Sequence, residues 1–204
     1  MRAASSRDAS SRLALRHAPS SQSLRNEQVA TVSRTKRSSV ELGGTPEQEK
    51  PTSGRANRLT GAYSTGDHVS SEMPPRPDGF YGVSKVAGEA LCRLYADKFG
   101  LSTISLRIGS HEDRPASARE QRTWLSPADA IRAFVAAMTT TERTAVFYAV
   151  SANTDGWWDL RSGEAVGFFP QDDAVAWARD PIDPDLPQGG EYATPAYSTD
   201  RMLR

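Results

Sequence analysis

None of the four Trp, six Tyr and six Phe of this 204-residue chain lies before Tyr63. Aromatic side chains supply much of the buried area of a core, so a long opening stretch without them cannot offset its own ordering entropy. Residues 1–60 also hold 11 serines and 11 Lys and Arg against five acids, in pieces such as SSRDASSR and SRTKRSS. No sustained apolar period runs through them. This is the composition of a disordered segment, assigned here to residues 1–56. Three readings compete for it. A transit peptide is rich in Ser and Arg and poor in acids, but brings an amphipathic stripe that is missing here. A nucleic-acid-binding tail fits the excess of six positive charges, yet without interleaved aromatics it offers only unspecific phosphate attraction. A plain solvated tail, or a start that reads through unrelated DNA, asks least of the residues.

The remaining chain is long enough for one core, and the full sequence, 37% apolar with no net charge, fits a single domain. No run of 18 apolar residues is present, so no membrane span is expected. Cys92 is alone, which excludes an internal disulfide, and its apolar neighbours make it a small core residue. His17, His68 and His111 are scattered without a second ligand at metal spacing, so no metal site is expected.

In MPPRPDG, residues 73–79, Pro74, Pro75 and Pro77 fix their own φ and push the preceding residues away from helix. The pattern then predicts a helix from about Tyr81, with Val83, Val86, Ala87, Ala90, Leu91, Leu94 and Tyr95 on an apolar face and Gly100 as its stop. LSTISLRIG reads as a buried strand ending at Gly109. SPADAIRAFVAAM reads as a second helix, in which Ser126 caps, Pro127 suits the first turn, and Asp129 completes a capping box. Its Ile131, Phe134, Val135 and Met138 recur at helical spacing and are expected to pack on a sheet. TAVFYAVSA, residues 144–152, is a second continuous apolar strand. Helix, strand, helix, strand predicts a parallel α/β layer. WWDLRSGEAVGFFP then reads as a short helix running into a turn at Pro170, and beyond Asp173 the signal fades into a poorly ordered tail, residues 174–204.

The chemistry is concentrated in YGVSK. Residues four apart share a helical face, so the Lys85 ammonium can approach the Tyr81 hydroxyl. A tyrosine acting as a base near neutral pH needs its pKa lowered from about 10 towards 7, roughly 4 kcal/mol, and a fixed nearby cation can supply much of that. Tyr and Lys at this spacing also occur on many solvated helices, so the pair alone does not decide. Ser84 has no histidine or acid at activating distance in the sequence and reads as a helix-surface residue.

The surrounding blocks do carry a resemblance. PPRPDGFYGVSKVAGEALCRLYADKFGLSTISLRIGS, TWLSPADAI, YAVSANTDGWWDL and GFFPQDD resemble the extended short-chain dehydrogenases of the NAD-dependent epimerase and dehydratase family, and within them the uronate dehydrogenases. The likeness covers about residues 57–173. It implies an α/β fold that is a partial Rossmann-like, doubly wound parallel sheet, with NAD as cofactor, a sugar acid as substrate and a cytoplasmic location. It implies Tyr81 as the base that takes the proton of the anomeric hydroxyl of a hexuronate while hydride leaves that carbon, giving an aldarolactone. Lys85 would favour the tyrosinate and bond the nicotinamide ribose. Ile108 would lie near the cofactor and Ser110 near the sugar. The arginine nine residues past that serine, Arg119, would bind the uronate carboxylate through a guanidinium fork, with Arg114 and Arg122 close enough to compete. Asn153, Trp157 and Trp158 fall in a family block, but two indoles are read as plugs at the end of the sheet. Many relatives pair through the helix that carries the tyrosine, which leaves a homo-oligomer open.

The departures are as informative. Such enzymes open with a strand, a G-x-x-G-x-x-G turn and a helix whose N-terminus holds the pyrophosphate. This sequence has no such turn; Gly43 and Gly44 follow no convincing strand and lack a third glycine. The N-terminal βαβ units are therefore expected to be missing. In GRANRLTGAY, Asn57 and Arg58 align with the end of the family's S-S-N-H or S-S-N-R, as substrate-side residues, which puts Arg55 and Ala56 where two serines belong. A likeness that starts abruptly near Asn57 is expected of a truncated or misread ancestor. Two readings follow: a uronate dehydrogenase type of oxidoreductase with impaired activity, and a non-catalytic remnant or sugar-acid-binding module. A nucleotide-sugar epimerase would use the same Tyr81 and Lys85.

Overall fold

In the computed structural model the described residues are 29–34, 58–177 and 181–197. In chain order they form β1 (Val29–Arg34), α1 (Phe80–Phe99), β2 (Ser102–Ile108), β3 (Ser110–His111), α2 (Ala118–Thr123), β4 (Trp124–Leu125), α3 (Pro127–Thr139), β5 (Thr144–Ala149) and α4 (Arg161–Ala165). The sheet is three-stranded in the order β1-β2-β5. β2 and β5 run parallel, with Ile104 beside Ala145 and Leu106 beside Phe147. This is the parallel α/β layer expected from the strand and helix order.

The described part of the N-terminal segment is a strand, β1. Its backbone pairs antiparallel with β2, from Val29 opposite Arg107 to Arg34 opposite Ser102. The free edge of β2 offers a row of N–H and C=O groups that a short β-branched stretch can complete, VATVSR here. The rest of the segment read as disordered lies outside the described residues, as do Asn57, Arg55, Ala56, Gly43 and Gly44.

Side chains alternate across each strand, so β5 contributes to two cores, one of them shared with β2. On one face Ile104, Leu106 and Phe147 pack with Leu125, Val166, Phe168 and the alanines of α3. On the other, Tyr148 and Val150 pack with Tyr63, Val69, Trp157 and Trp158. The helices meet the sheet differently from expectation. α3 turns its small residues inward, Ala130, Ala133, Ala136 and Ala137, while Ile131, Val135 and Met138 are exposed; Phe134 alone of the expected stripe is packed against the core. An alanine face lets the helix axis approach the sheet more closely than the bulky stripe would. α1 buries only Gly82 and Ala96 and leaves Val83, Leu91, Leu94 and Tyr95 exposed.

The capping of α3 also differs in part. Ser126 accepts from the Asp129 N–H as expected, but Asp129 does not reach back. Its buried carboxylate instead accepts from the Gln171 and Asp172 N–H groups at 2.9 and 3.0 Å, pinning the QDD turn to the helix. Past Asp173 the chain is not a loose tail over its described part. Ala174–Trp177 forms a 3₁₀ turn with Ala174 buried, and residues 181–197 dock on the Gly61–Asp67 segment through the buried Gln188.

Candidate active site

The proline run ends at Pro77, Gly79 takes an extended backbone at the helix N-cap, and α1 begins without a side-chain cap. Its first turn presses on the preceding segment. A Cβ on Gly82 would lie 2.4 Å from the carbonyl oxygen of Arg58 and 2.9 Å from Pro77, so only glycine lets the helix start sit there. The Arg58 carbonyl is thereby placed against Gly82, in the first turn of α1. The Lys85 ammonium lies 4.9 Å from the centroid of the Tyr81 ring, and both residues are half-buried. Exposed Ser84 donates its hydroxyl to the Tyr81 carbonyl at 2.7 Å, a local helix bond.

At the exit of β2, Ile108 is partly buried against the α3 side of the core. Gly109 follows because a side chain there would meet the Thr123 carbonyl at 2.1 Å. That close approach brings Ser110 to Thr123, with their buried hydroxyls 3.0 Å apart, and Thr123 in turn donates to the Arg119 carbonyl at 3.2 Å. α2 is fixed at its start by Ser117, which accepts from the Glu120 N–H, while Glu120 reaches back to the Ala116 N–H at 2.6 Å.

The arginines separate cleanly. Arg122 pairs with Asp155 and Arg114 is exposed. Arg119 donates from Nε to the Gln188 carbonyl at 2.5 Å, and its charge acts on Asp78. Arg58 donates from Nε to Asp78 at 2.6 Å and its guanidinium lies 5.5 Å from the Tyr192 ring centroid. The Asp78 side chain is fully buried, and a Cβ on Gly61 or Gly189 would meet its second oxygen at 1.9 or 2.1 Å. Burial pushes the Asp78 carboxyl above its usual range, with Arg58 and Arg119 pulling the other way. Arg58 and Arg119 thus both act on Asp78, just before α1, while Ser110 is tied through Thr123 to the Arg119 carbonyl at the exit of β2.

A second polar group lies deeper. Glu89 of α1 takes both ends of the Arg107 fork, at 2.9 and 2.9 Å, with 3% of the arginine and 10% of the glutamate side chain exposed. Arg107 also donates to the Tyr148 hydroxyl at 3.3 Å, and that hydroxyl meets Thr60 at 3.2 Å. Burial works against the Arg107 charge, but Glu89 and Tyr148 outweigh it and hold its pKa above the ordinary arginine value. Tyr148 stacks on Trp158 at 4.8 Å, and the Trp158 N–H donates to Gln188 Oε1 at 2.9 Å. Trp157 and Trp158 are buried in this core, as the plug reading requires, and Asn153 bonds the Trp124 carbonyl and the Ala174 N–H. Sequence reasoning missed Gln188, Tyr192, Asp78 and the Glu89–Arg107 pair. Gln188 and Tyr192 carry no local signal, whereas Asp78 in PDG just before a helix start could have been noticed.

Residues 58–114 match the model of the NAD dependent epimerase/dehydratase family. The chain is 39% identical over 129 residues to uronate dehydrogenase from Agrobacterium fabrum, an alignment covering 61% of this chain and 47% of the relative. It resembles the crystal structure of a glucuronic acid dehydrogenase from Chromohalobacter salexigens, with a TM-score of 0.64 and 35% identity over 72% of this chain and 59% of that one. It also resembles a substituted uronate dehydrogenase from Agrobacterium tumefaciens complexed with NAD, with a TM-score of 0.62 and 34% identity over 69% and 57% of the two chains. The chain spans a little under half the length of the curated relative. The α/β architecture with parallel β2 and β5 is that of these Rossmann-like dehydrogenases. Among the described residues no group of three or more His, Cys, Asp or Glu is gathered as for a metal, and no helix is long and apolar enough to cross a membrane.

Proposed function

We propose that the chain is an NAD-dependent dehydrogenase of the uronate type, which oxidises the anomeric carbon of a hexuronate to an aldarolactone. The observation that carries this is the Tyr81–Lys85 pair on the first turns of α1, within the matched region, on the helix that follows the Arg58–Asp78 ion pair. Tyr81 takes the proton from the anomeric hydroxyl. Lys85, one turn on, favours the tyrosinate that accepts it. Arg119 binds the uronate carboxylate through its guanidinium, whose Nε donates to the Gln188 carbonyl. The Ser110 hydroxyl orients the sugar and is itself held by Thr123. NAD, when bound, accepts the hydride that leaves the anomeric carbon.

The described residues suit one half of that cofactor. In this reading Lys85 bonds the nicotinamide ribose and Ile108 lies near the cofactor. The pyrophosphate half finds no counterpart among them: Gly79 and Gly82 open α1, but Lys85 stands where a third glycine would complete the turn. This gap favours the second reading, a sugar-acid-binding module without turnover. Purified chain incubated with NAD and galacturonate or glucuronate, beside its Tyr81→Phe variant, separates the two. The dehydrogenase reading expects NADH formation that Tyr81→Phe reduces at least a hundredfold. Uronate binding by calorimetry without NADH would establish the second.

A further inference from the structure

Glu89 stands two turns past Tyr81 and one past Lys85, so all three share one helical face. α1 is otherwise lightly attached. Only Gly82 and Ala96 are buried, and beyond Glu89 the described polar bonds between its body and the sheet side are Thr103 to the Cys92 carbonyl at 3.4 Å, Arg143 to the Ala96 carbonyl at 2.7 Å, and exposed Arg93 to the Thr144 hydroxyl at 3.5 Å. Each of these is a single bond, long or solvent-exposed or made to a main-chain oxygen, and constrains the rotation of the helix less than a buried two-bond fork. Arg107 supplies that fork. A planar guanidinium meeting a carboxylate through two parallel bonds accepts one geometry, and Arg107 is itself fixed by Tyr148. A well-packed apolar pair would serve stability as well as a buried ion pair, so the directional property is the one that the ion pair adds.

The other end of the same group leads to the substrate side. Tyr148 meets Thr60, two residues from Arg58, and stacks on Trp158, whose N–H is held by Gln188, the residue whose carbonyl takes the Arg119 Nε. We propose that Arg107, acting through Glu89, is a positioning residue that fixes the rotation of α1 and so aims Tyr81 and Lys85 at the substrate held by Arg119. The proposal rests on the reading of Tyr81 and Lys85 as the reacting pair. A misplacement of about 1 Å in a reacting group can lower a rate about a hundredfold without touching ground-state binding.

The test compares wild type with Arg107→Lys, which keeps the charge and loses the fork, and with the double variant Glu89→Leu/Arg107→Met, which keeps the volume and loses both charges. The expected result is a kcat lowered about tenfold or more in both, with KM for the uronate within about twofold, even though the double variant melts at or near the wild-type temperature. A folded double variant with wild-type kcat overturns the proposal. Hydrogen exchange gives a readout that needs no turnover: amides 81–88 should exchange at least tenfold faster in both variants while those of β5 do not change. Unchanged exchange in α1 overturns the clamp. A wild-type chain inert towards every uronate would sink the dehydrogenase reading and leave the exchange comparison to decide whether Arg107 holds the helix.

Discussion

Gly82 and Gly88 lie on the same helix, and the structure gives their alanine variants opposite signs. Around Gly88 a Cβ would meet nothing within 4 Å, so Gly88→Ala should gain the helix-propensity difference, about 1 kcal/mol. At Gly82 the same gain is set against a contact of 2.4 Å with the Arg58 carbonyl and 2.9 Å with Pro77, and a backbone carbonyl cannot swing aside as a long side chain can. Overpacking of this kind costs about 1–3 kcal/mol, so Gly82→Ala should come out between about neutral and 2 kcal/mol destabilised. The two variants should therefore differ by about 1–3 kcal/mol in urea unfolding. Because the first turn must move, Gly82→Ala should also lower kcat and Gly88→Ala should not. Equal stabilisation by both would refute the placement of the first turn of α1 on the Arg58 carbonyl.

Arg119→Ala should remove discrimination between a uronate and the matching neutral aldose by about 10- to 150-fold in kcat/KM, the span of 1.5–3 kcal/mol for hydrogen bonds to a charged group; an unchanged ratio in steady-state kinetics would rule out this role. Trp158→Phe preserves an aromatic face for Tyr148 but leaves Gln188 Oε1 without its buried donor, and should cost about 1–3 kcal/mol in urea melts. The Asp159 carboxyl is held below the usual range by its hydrogen bond to Arg161. A carboxylate with a lowered folded-state pKa binds fewer protons folded than unfolded, so its contribution is present above the unfolded value of about 3.9 and lost as pH falls below it. The stability lost between pH 6 and pH 3 should accordingly be smaller in Asp159→Asn than in wild type, measured by chemical unfolding at both values.

The elements that were legible in the sequence are those fixed by local chemistry. Three prolines mark where α1 cannot begin, Gly100 adopts the left-handed φ of 71° that ends it, and Ser126 with Pro127 opens α3. Two continuous apolar runs gave β2 and β5 and their parallel order. What periodicity could not supply is which helical face approaches the sheet. In α3 the bulky stripe drew attention, but the alanines pack closest. β1 exists by pairing with an edge that the sequence around it does not reveal. The Tyr81–Lys85 spacing and the candidacy of Arg119 were readable, because a four-residue step and a counted offset survive in one dimension. Gln188 was not, since its significance comes from segments more than a hundred residues apart closing on each other. Sequence favoured Arg119 with Arg114 and Arg122 close by, and in the structure Arg119 and Arg122 take different partners, Gln188 and Asp155.

The account turns on whether this chain holds the cofactor its chemistry requires. Calorimetric titration of the full chain with NAD tests that directly, before any substrate is chosen. Saturable binding in the micromolar range, weakened by Lys85→Met, is the predicted result. No detectable heat up to millimolar NAD, from a chain shown to be folded, would contradict it and leave YGVSK as a motif without its reaction.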